Sequence, residues 1–363
     1  MLSNHTECRS LREQVEELLK LTATNMLTRS FYISLICIFF ASGAKANCIA
    51  FTENERLANY CLLETISGKL VDENTAALVF KRLSLEGYFG GLPEALNQAN
   101  IYPNLYYSDN INGGNPDKKL RLGDLEFDGE PDLVAKAGLV AGLTLSGSSR
   151  FTYGEGRYLN TSFSASQAYS PEHSLSYTRL NLQFCSKNKI GRDSHIDVCA
   201  SSDKQNKEIS SSDENSVTTS YSKMFLKAFG AVEIKVGLRR FITNGYEQNQ
   251  LSLSSDLIHS NKGFYSLGLT LGERVEDQLT MRYSINANAA KYYKGHKYNL
   301  SISHGFSDGG RFLGVDRNER SSSVVISTWI RENTSINIGY TNLRSSIDYF
   351  DHSYPIISLT QRW

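Results

Sequence analysis

Long hydrophobic runs are almost missing from this sequence. Residues 31–41, FYISLICIFFA, form the only one, and it falls short of the roughly 20 residues a helix needs to cross hydrocarbon. Together with a mean hydropathy of -0.34, this excludes a bundle of membrane helices. Charge of one sign is not in excess either. The 38 Lys plus Arg residues stand against 38 Asp plus Glu, so neither a nucleic-acid surface nor binding driven by counterion release is expected. The hydrolase signature G-x-S-x-G is also absent.

What the chain has instead is alternation. Val232, Ile234, Val236 and Leu238 alternate with Glu233, Lys235, Gly237 and Arg239. Leu279, Met281, Tyr283, Ile285, Ala287 and Ala289 alternate with Thr280, Arg282, Ser284, Asn286 and Asn288. Tyr265, Leu267, Leu269 and Leu271 do the same against small polar residues, as do Ile336, Ile338 and Tyr340. Strands with one apolar and one polar face suit a closed barrel in lipid, because closure satisfies every backbone group in hydrocarbon. The expected fold is therefore all-β: a transmembrane antiparallel barrel in the outer membrane of a Gram-negative bacterium, its apolar face against the lipid bilayer. Tyr169, Tyr292, Tyr293, Tyr298 and Phe306 fit the interfacial girdles of such a barrel.

Residues 31–41 are followed by Ser42, Gly43 and the A-x-A pattern Ala44-Lys45-Ala46, and preceded by a short positive region that starts at Met26. Residues 26–46 read as a signal peptide and residues 1–25 as a mis-assigned start; the alternative is a genuine longer start with a buried helix over 31–41. Four cysteines remain after cleavage, Cys48, Cys61, Cys185 and Cys199. In an exported chain, local pairing of Cys48 with Cys61 and of Cys185 with Cys199 is expected. A metal site with His173 and His195 matches no ligand spacing, and Asn47 is a poor residue before a lipidated Cys48.

Residues 47–100 differ in texture. Leu57, Tyr60, Cys61 and Glu64 fall at helical spacing, and Asp72 is a credible cap for a second helix through Ala76, Val79, Phe80 and Leu83. Residues 94–99 read as a short third turn. So small a segment is expected at the periplasmic mouth of the barrel or inside it as a plug. From Asn104 onward, segments between turn-like clusters number fourteen, with twelve or sixteen left open by their uncertain edges, so residues 101–363 form the barrel. The competing reading, a soluble sandwich, fits less well with the strand lengths, the short turns and the terminal Trp363. With Leu359, that tryptophan resembles the signal by which outer-membrane assembly machinery recognises its clients.

No chemistry stands out. The histidines are scattered, and His304 shares the face of Leu300 and Ile302 instead of the polar one. Gly154-Glu155-Gly156-Arg157 and Gly309-Gly310-Arg311 read as turns, and Asp124, Asp128, Glu130 and Asp132 lack calcium-loop spacing. Glu233, Lys235, Arg239 and Arg282 are expected to neutralise one another across the interior. No enzyme, cofactor or metal is expected.

One stretch carries a resemblance. Pro103 followed by Ser108, Asn110, Ile111 and Asn112, in LYYSDNINGG, is similar to the start of the barrel in the surface lipoprotein assembly modifier family. Gly154-Glu155-Gly156-Arg157-Tyr158, Ala168-Tyr169-Ser170-Pro171 and the terminal Gln361-Arg362-Trp363 look like further signatures of it. The likeness runs from about residue 100 to the end, although the helical-repeat domain usual ahead of that barrel is much reduced. It implies a barrel that helps an exported lipoprotein or secreted protein client reach the cell surface without covalent chemistry. Asn110, Ile111 and Asn112 would then stand at the start of strand one, beside the seam with the last strand. A passive porin-like channel for small solutes is the second reading, and a structural or adhesive barrel working through loops 114–132 and 306–321 the third.

Overall fold

The computed structural model describes residues 53–66, 73–84 and 96–361, apart from 123–124, 129, 228, 244, 260–262, 294–295 and 332–333. The expectations for residues 1–46, Cys48 and Trp363 lie outside the described residues. Two helices, α1 (Glu55–Ile66) and α2 (Glu73–Ser84), precede the strands. The strands are β1 (Leu96–Ser108), β2 (Lys119–Leu122), β3 (Leu125–Asp128), β4 (Gly138–Gly154), β5 (Arg157–Ser170), β6 (Leu175–Lys189), β7 (Ser194–Asn206) and β8 (Ser211–Lys227). They continue as β9 (Gly230–Thr243), β10 (Glu247–His259), β11 (Gly263–Gly272), β12 (Thr280–Tyr293), β13 (His296–Phe312), β14 (Val315–Arg331), β15 (Thr334–Ser345) and β16 (His352–Gln361).

Fourteen of these strands close into one antiparallel barrel, each beside its sequence neighbour; β2 and β3 form a separate hairpin. Closure is made by β1, which pairs with β4 from Leu96↔Arg150 to Ser108↔Gly138 and with β16 at Asn104↔Thr360 and Tyr106↔Ser358. The even strand number brings the start of β1 and the end of β16 to the same mouth. That mouth also carries the connections at 155–156 and 190–193, and is called the turn mouth below. The opposite, loop mouth carries the long 109–137 connection, which includes β2 and β3.

Residue period 2 decides the two faces. Leu238, Leu267, Ile326 and Ile338 are more than half exposed on the outside, and Leu253 is 49% exposed. Their cross-strand partners match in kind, as in Leu238↔Leu251, Leu251↔Leu271 and Ile326↔Ile338. A soluble sandwich would bury such an apolar surface between sheets; this barrel turns it outward all round, where only lipid covers it. The protein is an outer-membrane barrel. Its inner face carries Ser216, Thr218, Ser220, Gly237, Ser252, Ser254, Gly268, Ser284 and Asn286, several of which pair laterally, as in Ser220↔Gly237↔Ser252 and Ser254↔Gly268↔Asn286.

Several edges differ from the sequence reading. Strand β1 begins at Leu96, inside the stretch read as a third helical turn, and β14 begins at Val315, inside the presumed 306–321 loop. Both extensions lie where the wall leaves hydrocarbon, so their residues need not alternate in polarity.

Candidate functional site

The barrel interior is the candidate site, and α1 is the element that shapes it. Asn54 caps the helix: its Oδ1 accepts from Leu57 N–H at 3.0 Å while its carbonyl accepts from Ala58 N–H at 3.0 Å. Leu57, Ala58, Cys61 and Leu62 form one apolar stripe. It packs with Val79 and Leu83 of α2 against Met224, Ala231, Ile258, Phe264 and Ala290 on the inner wall near the turn mouth. These wall residues depart from the small polar pattern of the rest of the interior, because here the wall meets a helix instead of water. The helical segment thus enters the barrel.

The polar end of α1 is tied to the wall by charge. Arg56 Nη1 donates to Asp197 Oδ1 at 2.9 Å, and its Nη2 donates to Glu233 Oε1 at 2.7 Å and to Ser222 Oγ at 3.1 Å. Asn54 Nδ2 donates to Glu233 Oε2 at 2.5 Å and Asp256 Oδ2 at 2.8 Å. Glu55 pairs with Arg150 at 2.8 Å and Glu53 with Lys297, so the ties reach β4, β7, β8, β9, β10 and β13. Burial works against the Arg56 charge, yet Glu233 and Asp197 more than offset it and hold its pKa above the ordinary guanidinium value. Beside the helix start lies a cavity of about 300 Å³, lined by Glu53, Tyr158, Lys187, Lys235 and Asp256 with the Asn54–Arg56 turn.

The charged wall residues are paired differently from expectation. Glu233 is matched by Arg56 from the helix, and Lys235 approaches Asp197 at 3.8 Å. Arg239 and Arg282 join neither pair. The helix was read from its apolar stripe alone; the isolated Arg56 facing away from that stripe was the missed signal.

Away from the helix, little among the described residues lies against the inner wall. A Cβ placed on Gly268 would meet only the Cβ of Ser254, at 4.0 Å. Arg179, which pairs with Asp203 at 2.9 Å on the inner wall, keeps its side chain 56% exposed. The disulfide Cys185–Cys199 joins directly opposed residues of β6 and β7, two residues from Asp197. Cys61 is also disulfide-bonded.

At the loop mouth the Ser108–Asn112 motif does not lead into strand one. It ends that strand and turns the chain inward, at the opposite end of β1 from its start. Asn110 Oδ1 accepts from Gly113 N–H at 2.8 Å and Gly114 N–H at 2.9 Å, and its carbonyl accepts from Lys207 Nζ at 2.6 Å. Ile111 is buried with Val140 and Ala168 of the inner wall. The fully buried Asn112 donates to Val134 O at 2.9 Å and accepts from Lys136 N–H at 2.9 Å. The three residues bind the 109–137 loop together. Leu359 faces outward on β16, 39% exposed, opposite Leu105.

His304 also faces outward. Its Nδ1 lies 2.9 Å from Ser322 Oγ and its Nε2 3.4 Å from the Tyr283 hydroxyl. Among the described residues no carboxylate orients the imidazole, and the backbone N–H groups beside it belong to the strand ladder instead of forming an oxyanion hole. Among the described residues no three His, Cys, Asp or Glu side chains gather as metal ligands. The polar interior wall is a surface along which solutes can bind or pass.

No model of a protein family matches the sequence, and no curated protein matches it. Among solved structures it aligns with OccAB4 of Acinetobacter baumannii at 8% identity and a TM-score of 0.38, over 74% of this chain and 98% of that one. The outer membrane protein OpdK of Pseudomonas aeruginosa aligns at 8% identity and a TM-score of 0.41, over 74% and 98%. The outer membrane channel DcaP of Acinetobacter baumannii aligns at 9% and 0.41, over 75% and 98%. The resemblance to surface lipoprotein assembly modifiers is corrected by these findings: the barrels found are of another kind, and the motif that carried the likeness closes a loop. The lipoprotein or secreted client, and the delivery role built on it, fall with that resemblance.

Proposed function

We propose that this barrel is a passive channel for small polar solutes. The loop mouth faces the cell exterior and the turn mouth the periplasm, following the usual placement of long loops and chain ends in bacterial barrels. The observation that carries the reading is the inner wall beyond α1, against which little lies among the described residues: a Cβ on Gly268 would meet only Ser254, and the Arg179 side chain is 56% exposed. Fourteen strands enclose more room than the eight that side chains alone can fill. Helix α1 narrows the route at the periplasmic mouth, and the buried loop anchor at Asn112 fixes the opposite constriction.

The test is single-channel recording of the purified full chain in planar bilayers, paired with liposome swelling in sugars of graded size. Discrete steps with a size cut-off are expected. Folded barrels that give neither steps nor swelling, as wild type and as Arg56→Ala, would rule the channel out.

A further inference from the structure

We propose that the outer wall below the loop mouth, across β13, β14 and β15, holds a phosphorylated lipid headgroup of the outer leaflet. The inference takes from the channel reading only the direction of the loop mouth. Tyr283, Phe306, Arg320 and Arg344 form one lateral row across four strands. One step nearer the membrane middle the row is Ile285, His304, Ser322, Asn342 and Ser353, and one step further it is Ala287, Ile302, Val324, Tyr340 and Pro355. These rows face outward: Val324 is 45% and Tyr340 54% exposed. A polar and cationic patch therefore sits directly above lipid-facing apolar wall.

Charge at Arg320 is unbalanced where three other cations of the upper wall are paired. Lys204 is met by Asp213 at 2.9 Å, Arg240 by Glu247, and Arg344 by Asp351 at 2.6 Å. Arg320 has no carboxylate among the described residues. Its guanidinium lies 5.9 Å from the Phe306 ring centroid, and its directly opposed neighbour is Arg344. Like charges in register across adjacent strands repel, and an anion between them removes the repulsion. The planar fork of arginine suits phosphate oxygens. Below it, His304 with Ser322 and Asn342 with Ser353 supply further polar groups, and Val324, Ile326 and Ile338 give acyl chains an apolar track. That continuity favours a lipid phosphate over a free one.

The experiment places the full chain in nanodiscs of phosphatidylcholine doped with bisphosphorylated lipid A or with its dephosphorylated form, and counts retained lipid by native mass spectrometry. The wild type is expected to retain the phosphorylated form selectively. Arg320→Ala should weaken that retention about fivefold, the worth of one basic contact at an anionic surface, and Arg240→Ala should not. Should Arg320→Ala fail the heat-modifiable mobility check for folding, Arg320→Lys replaces it, with a smaller loss expected. Equal retention of the two lipids, an Arg320 variant that holds lipid A as the wild type does, or displacement by inorganic phosphate at micromolar concentration would each overturn the proposal. A barrel that conducts nothing yet still discriminates between the lipids would sink the channel reading and leave this one standing.

Discussion

Arg56 and Asp197 meet at 2.9 Å inside the barrel although 141 residues separate them in the chain. One lies on a helix and the other on the wall, so their contact, with Glu233 on a second strand, seats the plug. Removing one partner of a buried ion pair costs about 3–5 kcal/mol, mostly because the other charge is left without compensation. Arg56→Ala is therefore expected to loosen α1 and to raise single-channel conductance in planar bilayers. Unchanged conductance would mean that α1 does not limit the route.

The same pair fixes a pH dependence. The folded-state pKa of Arg56 is raised, so its contribution is fully present below the unfolded value and is lost only far above the accessible range. Conductance governed by this side chain should stay flat on raising the pH from about 6 to 10. In Arg56→Lys the side chain has an ordinary pKa of about 10.4, and a rise in conductance toward that pH is expected from the same recordings. A wild-type channel that opens on the same alkaline limb would exclude Arg56 as the seat.

The Cys185–Cys199 bond closes a short loop, with a sequence separation of 14, for which roughly 3 kcal/mol is a typical contribution. The double substitution to serine should lower the temperature at which the barrel loses its compact mobility in gels, without altering its folded circular dichroism. Dithiothreitol should reproduce the shift in the wild type and have no effect at this pair in the variant.

Asn112 is fully buried, and its amide serves Val134 O and Lys136 N–H. Leaving such groups unpaired costs about 1–3 kcal/mol. Asn112→Ala should expose the 109–137 loop to protease added to intact cells while the barrel itself survives. Cleavage only after the outer membrane is opened would reverse the assigned direction of the loop mouth.

The two faces can be told apart by charge. Leu267, 57% exposed on the outside, should cost about 2–4 kcal/mol as Leu267→Arg near the bilayer middle. Ser254→Arg, on the inner face, should fold and change ion selectivity. Equal refolding yields for the two would contradict the assignment of faces.

Alternation made the barrel legible because residue period 2 and lipid on one side leave a strong record, as at Val232–Leu238 and Tyr265–Leu271. The record fades where strands leave hydrocarbon. Residues 315–320 are mostly polar or charged and gave no alternation, although they continue β14. The plug was legible as a helix from Leu57, Tyr60 and Cys61, but the residues it touches were not: Met224, Ile258 and Phe264 look like ordinary strand residues until a helix lies against them. Short-range spacing also misled at Asn110–Asn112, where the same asparagines serve a strand start or a loop anchor depending on contacts over 90 residues away, such as Lys207.

The even number of strands has a practical consequence for the chain's connectivity. Leu96 and Gln361 end at one mouth, so a linker from Gln361 into the helical segment ahead of Leu96 can join the two ends of the wall there and keep the plug. The chain can then be reopened at any connection of the far mouth, such as 207–210. Circular permutants of this kind would carry both new termini on the side opposite the plug, with every wall pairing retained.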